Sequence, residues 1–249
     1  MCFFATKSSM KIRMKRKLAV VLLICISCHI GWAAQDFVWK SGQNMKVVCD
    51  TTEAPVVKVA LDLLKRDCRS VLSGEISRSE NTGNIYVGTW GESSVLQALA
   101  ETHQLDVAQL NEHKEAFLLN VLPDGRLVVA GSDKRGTAYG VLELSRMMGV
   151  SPWEWWADAV PEKKEEFRLP AGFRKLDYPQ VAYRGIFIND EDWGLTPWSW
   201  KHYEPSERKG QIGPKTHARI FELLLRLRAN TFWPAMHECS IPFFFTEGN

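Results

Sequence analysis

Polar and acidic side chains follow two short apolar runs near the C-terminal end of the 249-residue sequence. The first run, Tyr183–Ile188 (YRGIFI), leads directly into Asn189, Asp190, Glu191 and Asp192. The second run, Thr231–Pro234, is followed by His237 and Glu238. In a hydrolase, such carboxylates bind hydroxyl groups, orient a water molecule or act as a general base. The alternative is a solvated acidic loop that caps the next element.

Strand alternation ranks the three adjacent carboxylates, because successive side chains point to opposite faces. One face carries Ile186, Ile188 and Asp190, and the other carries Phe187, Asn189 and Glu191. If the first face lines the site, Asp190 points into it, which makes Asp190 the first candidate for a catalytic carboxylate. Arg184 lies six residues before Asp190, or about 20 Å along a straight strand. We therefore expect Arg184 to be a structural cation.

Other residue types add weaker indications of chemistry. Trp233 ends the second apolar run, where it could stack under a sugar ring or belong to the core. His237 and Glu238 could carry a proton or form hydrogen bonds. The turn Gly131–Gly136 (GSDKRG) lacks the spacing of a phosphate-binding loop and is interpreted as structural. No metal or cofactor is expected.

Hydrophobic periodicity predicts an α/β domain ahead of these residues. Its order is β-α-β-α-β-β-α over about 115 residues, enough for an independent domain. The predicted elements are a strand at Met45–Cys49, a helix from Pro55, a strand at Ile85–Val87, a helix at Val95–Leu105, a hairpin of Phe117–Val121 and Leu127–Ala130, and a helix at Thr137–Met148 capped by Gly149. The apolar stripe of the first helix is predicted to be Val56, Val59, Ala60, Leu63 and Leu64.

A second fold element is predicted to begin after a boundary. Residues 151–161 (SPWEWWADAVP) hold three tryptophans, which either form a carbohydrate platform or, as we favour, pack one domain against the next. The charged run Glu162–Glu166 and Pro170–Gly172 mark the boundary. A strand, a loop, a helix from Pro214 to Asn230 and a strand then open a parallel barrel or a doubly wound sheet. A (β/α)8 barrel needs about 250 residues, but only 69 follow Gln180, so a truncated barrel is predicted.

The N-terminal segment has the pattern of a secretory signal. Basic residues from Lys11 to Lys17 precede an apolar run, Leu18–Ile26, which is far shorter than the roughly 20 residues of a membrane span. Gly31 and Ala33 have the spacing of a cleavage site. Lipoprotein anchoring through Cys28 is a less favoured alternative. The sequence thus predicts export to the periplasm or the extracellular space.

Charge and cysteine content limit the remaining possibilities. Six of the 31 Lys and Arg residues lie before residue 34, so 25 remain against 29 Asp and Glu, and no basic surface for nucleic acid is expected. Three of the six cysteines lie in the first 28 residues. The other three, Cys49, Cys68 and Cys239, form neither a disulfide framework nor a metal cluster and are predicted to be buried thiols.

Three stretches together resemble a known enzyme family. They are residues 128–161 (VVAGSDKRGTAYGVLELSRMMGVSPWEWWADAVP), residues 183–198 (YRGIFINDEDWGLTPW) and residues 228–238 (RANTFWPAMHE). The first resembles the small domain that precedes the barrel in several glycoside hydrolase families, among them α-glucuronidases and β-hexosaminidases. The set resembles glycoside hydrolase family 115, the xylan α-1,2-glucuronidases.

The resemblance implies removal of glucuronic acid, or its 4-O-methyl ether, from glucuronoxylan with inversion of configuration. After the predicted signal peptide at residues 1–34, it implies a small α/β domain of the hexosaminidase type at 35–175 and the start of a (β/α)8 barrel at 176–249. Asp190 and Trp233 would line the sugar pocket, with Asn189, Glu191, Asp192, His237 and Glu238 as further substrate-binding candidates. Other catalytic acids would follow Asn249, so this chain alone is expected to be inactive.

Two other functions stay open at the level of sequence. One is a β-N-acetylhexosaminidase-type hydrolase with the same small domain, and the other is a carbohydrate-binding module without catalysis. The sequence does not settle the oligomeric state, and a homodimer of the longer protein is one alternative.

Overall fold

A six-stranded mixed sheet organises the computed structural model, which describes residues 33–102, 104–188, 194–234, 236 and 241–249. The strand order is β3-β2-β4-β6-β5-β8. The strands are β2 (Asn44–Cys49), β3 (Glu75–Ser79), β4 (Ile85–Thr89), β5 (Phe117–Val121), β6 (Leu127–Gly131) and β8 (Arg174–Asp177). The first four in spatial order run parallel, whereas β5 is antiparallel to both of its neighbours.

Helices cover both faces of this sheet. Helix α1 (Pro55–Leu72) and α3 (Lys134–Met148) pack on one face, with Val47, Val87 and other inward side chains in one large core. Helix α2 (Ser94–Glu101) and the 3-10 turn Ala108–Glu112 cover the other face, where a second core contains Val48 and Tyr86. The two cores take alternate residues of the same strands, as the pleat requires.

The structure confirms most of the predicted elements and corrects some of them. The hairpin pairs in antiparallel register, Pro55 starts α1, and Gly149 caps α3 with φ +103°. Of the predicted apolar stripe of α1, Ala60 and Leu64 are fully buried and Val56 and Leu63 pack against the core, but Val59 is 51% exposed. Asp67 and Cys68 are buried on the same helix, which apolar periodicity alone does not predict.

The predicted boundary after residue 161 contains regular structure. Strand β7 (Glu166–Leu169) pairs with β1 (Phe37–Lys40) in a separate antiparallel ribbon, and β8 joins the main sheet. The charged run is exposed and only its last residue, Glu166, belongs to β7, in which Phe167 and Leu169 are buried. The predicted limit at residue 175 falls inside β8.

Two parallel strands follow, joined by a crossover. Strand β9 (Gly185–Phe187) pairs with β10 (Thr231–Trp233), and helix α5 (Pro214–Arg226) connects them. The crossover also contains α4 (Leu195–Trp198) and a π-helical turn (Ser199–Tyr203). Helix α5 ends at Arg226 rather than at the predicted Asn230, because Arg228 takes a left-handed conformation with φ +57°. A 3-10 turn at Phe243–Phe245 follows β10.

Candidate functional site

Parallel pairing in register brings the carboxyl ends of β9 and β10 together. Gly185 pairs with Thr231, and Phe187 pairs with Trp233. A Cβ atom on Gly185 would lie 1.9 Å from the carbonyl oxygen of Thr231, so only glycine fits this position. The register therefore places the side chains that end the two strands at the same edge.

The two faces of the strand pair have different surroundings. Ile186, Ile188 and Phe232 pack in an apolar cluster with Ile220 and Leu224 of α5. The opposite face carries Phe187 and Trp233, which remain 48% and 56% exposed. Their rings meet edge to face, with centroids 5.3 Å apart and an interplanar angle of 63°. Together with Tyr183, Gly185, Ile186 and Thr231 they line a cavity of about 230 Å³.

One premise of the reasoning that favoured Asp190 differs from the structure. The face of Ile186 and Ile188, which that reasoning placed along the site, is buried against α5. Strand β9 ends at Phe187, and Asp190 lies outside the described residues. The assignment of Asp190 therefore stays a prediction.

Most of the predicted site residues lie outside the residues that the structure describes. These are Asn189, Asp190, Glu191, Asp192, His237 and Glu238. Trp233 is described, and it stands at the exposed carboxyl end of β10. Phe187 was not among the site residues predicted from the sequence. Its pairing with Trp233 became visible only when the strand register was known.

Arg184 is a structural cation, as the sequence predicted. Its guanidinium donates to the carbonyl oxygens of Val181 at 2.6 Å and Arg228 at 2.8 Å, and it forms an ion pair with Glu115. The Glu115 side chain is only 7% exposed, and its backbone has φ +55°. Asn230 donates to the same carboxylate at 3.0 Å. These contacts fix the beginnings of β9 and β10 against the end of the 3-10 turn before β5.

A buried ion pair attaches α5 to α1. The guanidinium of Arg226 donates two hydrogen bonds to the Asp67 carboxylate, at 2.8 and 2.9 Å, and both side chains are at most 4% exposed. Glu222 accepts a further hydrogen bond from Arg226 at 3.0 Å. Burial lowers the pKa of Arg226, but the hydrogen bonds that Arg226 donates to Asp67 and the charges of both carboxylates outweigh this effect and raise the pKa. Because both charges are buried this deeply, removing either one would leave the other buried without a partner, which is strongly destabilising.

A second buried carboxylate joins α3 to the segment after α5. Glu143, with a side chain 1% exposed, accepts hydrogen bonds from Arg146 at 2.5 Å, Lys175 at 2.7 Å and Arg228 at 2.6 Å. Desolvation raises the pKa of Glu143, but the three cations outweigh it and lower the pKa to about 2. The strand pair is thus anchored to the main sheet through charge as well as apolar packing.

The tryptophan-rich segment packs as expected against the following element. Trp155 meets Trp156, Trp198 and Tyr203 at centroid distances of 4.9, 6.1 and 5.1 Å. Trp156 donates its indole N–H to the carbonyl oxygen of Arg219 in α5 at 3.2 Å. This supports the packing interpretation for two of the three tryptophans, while Trp153 is 48% exposed.

The turn Gly131–Gly136 is structural, also as predicted. Asp133 caps α3 by accepting hydrogen bonds from the backbone N–H groups of Arg135 and Gly136 at 3.0 and 2.9 Å. Its other oxygen accepts the N–H of Glu115 at 2.8 Å. The carboxylate thus occupies the helix N-terminus where an anionic ligand would otherwise bind.

Cys49 and Cys68 are buried free thiols, as expected, whereas Cys239 lies outside the described residues. Burial raises the pKa of Cys49 to about 11 and that of Cys68 to about 12. Both are therefore protonated and unreactive at neutral pH. Within the described part of the chain, no three His, Cys, Asp or Glu side chains are placed to share a metal ion. In the same part, no helix has the length and hydropathy of a membrane span.

Comparisons with known proteins identify the class of enzyme to which this arrangement belongs. A family model described as glycosyl hydrolase family 115 matches residues 176–247. A solved structure of BtGH115A, a family 115 4-O-methyl-α-glucuronidase with specificity for decorated arabinogalactans, is 62% identical with a TM-score of 0.81. The match covers 86% of this chain and 28% of that chain. The chain belongs to glycosyl hydrolase family 115.

More distant matches are glycoside hydrolases of other families. An exo-β-N-acetylglucosaminidase of family GH20 from Vibrio harveyi is 15% identical with a TM-score of 0.45, and the match covers 80% of this chain and 23% of that chain. A β-N-acetylhexosaminidase from Bacteroides fragilis is 15% identical with a TM-score of 0.41, and covers 80% and 30%. At these scores, neither structure bears on the function of this chain. A comparison with curated proteins yields no match.

Proposed function

We propose that this chain is the N-terminal part of an exported α-glucuronidase that removes glucuronic acid, or its 4-O-methyl ether, from a decorated plant polysaccharide. The observation that carries the proposal is the 62% identity to a family 115 4-O-methyl-α-glucuronidase over 86% of this chain. Because the match spans 28% of that enzyme, most of the catalytic protein would follow Asn249.

The proposed architecture has three parts. Residues 1–34 are an export signal, residues 35–175 form a small α/β domain, and residues 176–249 begin a (β/α)8 barrel. Support for the barrel comes from the parallel pairing of β9 with β10 and from the α5 crossover between them. Parallel neighbours joined by a helix are the repeating unit of such a barrel, which places its active site at the carboxyl ends of the strands.

The proposed chemistry is hydrolysis with inversion of configuration. An inverting glycosidase uses two carboxyl groups roughly 6.5–9.5 Å apart, one of them activating a water molecule. We assign Asp190 as the candidate base or water-positioning carboxylate, with the second acid beyond Asn249. Trp233 would stack under the sugar ring, while Asn189, Glu191, Asp192, His237 and Glu238 would bind its hydroxyl groups. With its barrel incomplete, the chain of 249 residues would release no product by itself.

The polysaccharide backbone has two candidates. The sequence resemblance favours glucuronoxylan, and the specificity of BtGH115A for decorated arabinogalactans favours an arabinogalactan backbone. In either case the proposed site would bind the uronic acid, and subsites formed elsewhere would bind the backbone. The proposed location is the periplasm or the extracellular space, where such polysaccharides occur.

A side-by-side assay tests this proposal. The protein extended to the length of its relative is incubated with aldouronic acids, glucuronoxylan, a glucuronic acid-bearing arabinogalactan and a chitobiose analogue. Release of glucuronic acid or its methyl ether is expected, and cleavage of the chitobiose analogue alone would instead indicate a β-N-acetylhexosaminidase. Binding without any cleavage would indicate a carbohydrate-binding module. Asp190→Ala and Glu191→Ala, compared in the same assay, decide which carboxylate is essential.

A further inference from the structure

A groove between α1 and the edge strand β3 combines an apolar floor with a cationic rim. Its volume is about 270 Å³. The floor consists of Val47, Leu61 and Ile76, and the rim carries Lys58, Lys65 and Arg78, together with Cys49, Asp50 and Asp62. It lies outside the catalytic region discussed above.

Its position in the fold is one where ligands bind in other α/β proteins. Cys49 ends β2, and Arg78 precedes the last residue of β3, so the groove lies at the carboxyl ends of two parallel strands. Open parallel sheets bind ligands in the crevice outside these ends. Lys58, Leu61, Asp62 and Lys65 line the opposite wall because their spacing puts them on one side of α1.

The carboxylate at the mouth of the groove is already engaged. One oxygen of Asp50 accepts hydrogen bonds from the hydroxyl of Ser93 at 2.8 Å and the N–H of Ser94 at 3.1 Å. The other oxygen accepts the hydroxyl of Ser94 at 2.9 Å. Asp50 therefore holds the start of α2, and its charge together with that of Asp62 offsets two of the three cations that line the groove.

The cations of the rim have no such partners. Within the described residues, Lys58, Lys65 and Arg78 form no ion pair within 4.0 Å, although the neighbouring Arg66 and Arg69 both do. Arg78 donates to the carbonyl oxygen of Cys49 at 2.9 Å, which orients the guanidinium across the strand ends and leaves other N–H groups for a ligand. Asp62 is the one acidic side chain of the wall that no described hydrogen bond engages. The groove thus retains excess positive charge.

We infer that this groove binds the carboxylate of a uronic acid unit of the polysaccharide, apart from the catalytic site. The inference rests on the proposed function for the identity of the ligand. A volume of about 270 Å³ is at the lower end of the roughly 300–1,000 Å³ of small-molecule sites, so one sugar unit fits better than a longer segment. The carboxylate would pair with Arg78 and the two lysines, and a C–H face of the ring would contact Leu61 and Ile76. Such a contact would hold a decorated chain near the enzyme between cleavage events.

Direct binding to the 249-residue chain tests the inference without any need for catalysis. Methyl glucuronoside is titrated into ¹⁵N-labelled protein, with methyl glucoside, inorganic phosphate and sulfate as comparison ligands. We expect saturable amide shifts at Leu61 and Ile76 with methyl glucuronoside, and no saturable shifts with the uncharged methyl glucoside. Because exposed charges are screened, raising the ionic strength to 1 M should weaken binding.

Three variants within the groove and one outside it test the assignment. Arg78→Gln should weaken binding on the order of tenfold, since it removes a charged hydrogen-bond donor. Lys65→Gln should also weaken it, and Arg78→Lys should restore part of the affinity. Lys209→Ala removes an equally exposed charge that does not line the groove and should leave binding unchanged.

Three results would overturn the inference. The first is absence of saturable binding to the wild-type chain. The second is unchanged affinity in folded Arg78→Gln and Lys65→Gln. The third is binding of phosphate or sulfate as tightly as methyl glucuronoside. The last would make the groove a general anion site. Failure of the proposed function would be detected in a separate assay, because the extended enzyme would then release no uronic acid whether or not the groove binds one. If both hold, Arg78→Gln should leave cleavage of a small aldouronic acid unchanged.

Discussion

Replacing Arg226 tests how the strand pair is held to the rest of the fold. Arg226→Met keeps a good helix former and a similar side-chain length, but it removes the charge that pairs with Asp67. The Asp67 side chain, 3% exposed, would then keep only Arg66, whose Nε is 3.8 Å away. Leaving one charge of a buried pair without its partner costs about 3–5 kcal/mol. That is a large part of the roughly 5–15 kcal/mol by which a domain is stable.

The reverse change should cost less. In Asp67→Asn, Arg226 would still donate to Glu222 at 3.0 Å, so a loss of about 2–3 kcal/mol is expected. The double variant Asp67→Leu with Arg226→Met removes both charges together. It should be more stable than Arg226→Met alone, because an apolar pair replaces a buried ion pair at little net cost.

Urea unfolding of the 249-residue chain, followed by circular dichroism, measures these differences at constant m-value. Glu75→Gln is the matched control, since it breaks the Arg69–Glu75 pair, whose side chains are 52% and 51% exposed. Its midpoint should stay close to that of the wild-type chain. Either of two results would contradict the importance of this ion pair: Arg226→Met behaving like Glu75→Gln, or the double variant being no more stable than Arg226→Met alone.

Three further outcomes follow from the geometry. The pKa of Glu143 is lowered from 4.5 to about 2. The ionised side chain therefore stabilises the folded chain by about 3 kcal/mol above pH 4.5, and this contribution is lost as the pH falls toward 2. Glu143→Gln should reduce this pH dependence when the unfolding midpoint is measured across an acid titration. Gly185→Ala would place a Cβ 1.9 Å from the Thr231 carbonyl oxygen, so it should lower the unfolding midpoint and weaken amide protection in β9, and an unchanged midpoint would contradict the close contact. Cys49 and Cys68, with pKa values of about 11 and 12, should resist iodoacetamide at pH 8 until the chain unfolds, and peptide mass spectrometry that finds either one alkylated in the folded chain would contradict their burial.

The sequence predicted those parts of the fold that local patterns determine. The hairpin was indicated by Pro-Asp-Gly between two apolar runs, and the ends of two helices by Pro55 and Gly149. Strands β3 and β8 were missed. Each lies at an edge of the six-stranded sheet, where polar side chains remain partly exposed and the apolar alternation is weak.

Contacts between residues far apart in the sequence could not be predicted from local patterns. Asp67 and Arg226 are 159 residues apart, and each is buried only because the other is present. The buried face of β9 likewise depends on α5, which follows it by more than 25 residues. Alternation placed Phe187 and Ile186 on opposite faces, but only the packed structure showed which of the two faces away from the helix. Trp233 was nominated from sequence, whereas Phe187 required the strand register.

The most direct test of the proposed function is a ¹H NMR time course of the extended enzyme acting on an oligosaccharide with one α-linked glucuronic acid. We predict that free glucuronic acid accumulates first as the β anomer, because an inverting mechanism places the attacking water on the face opposite to the leaving group. The α anomer should appear later, through mutarotation. First appearance of the α anomer would contradict inversion, and absence of any released uronic acid would contradict the α-glucuronidase assignment itself.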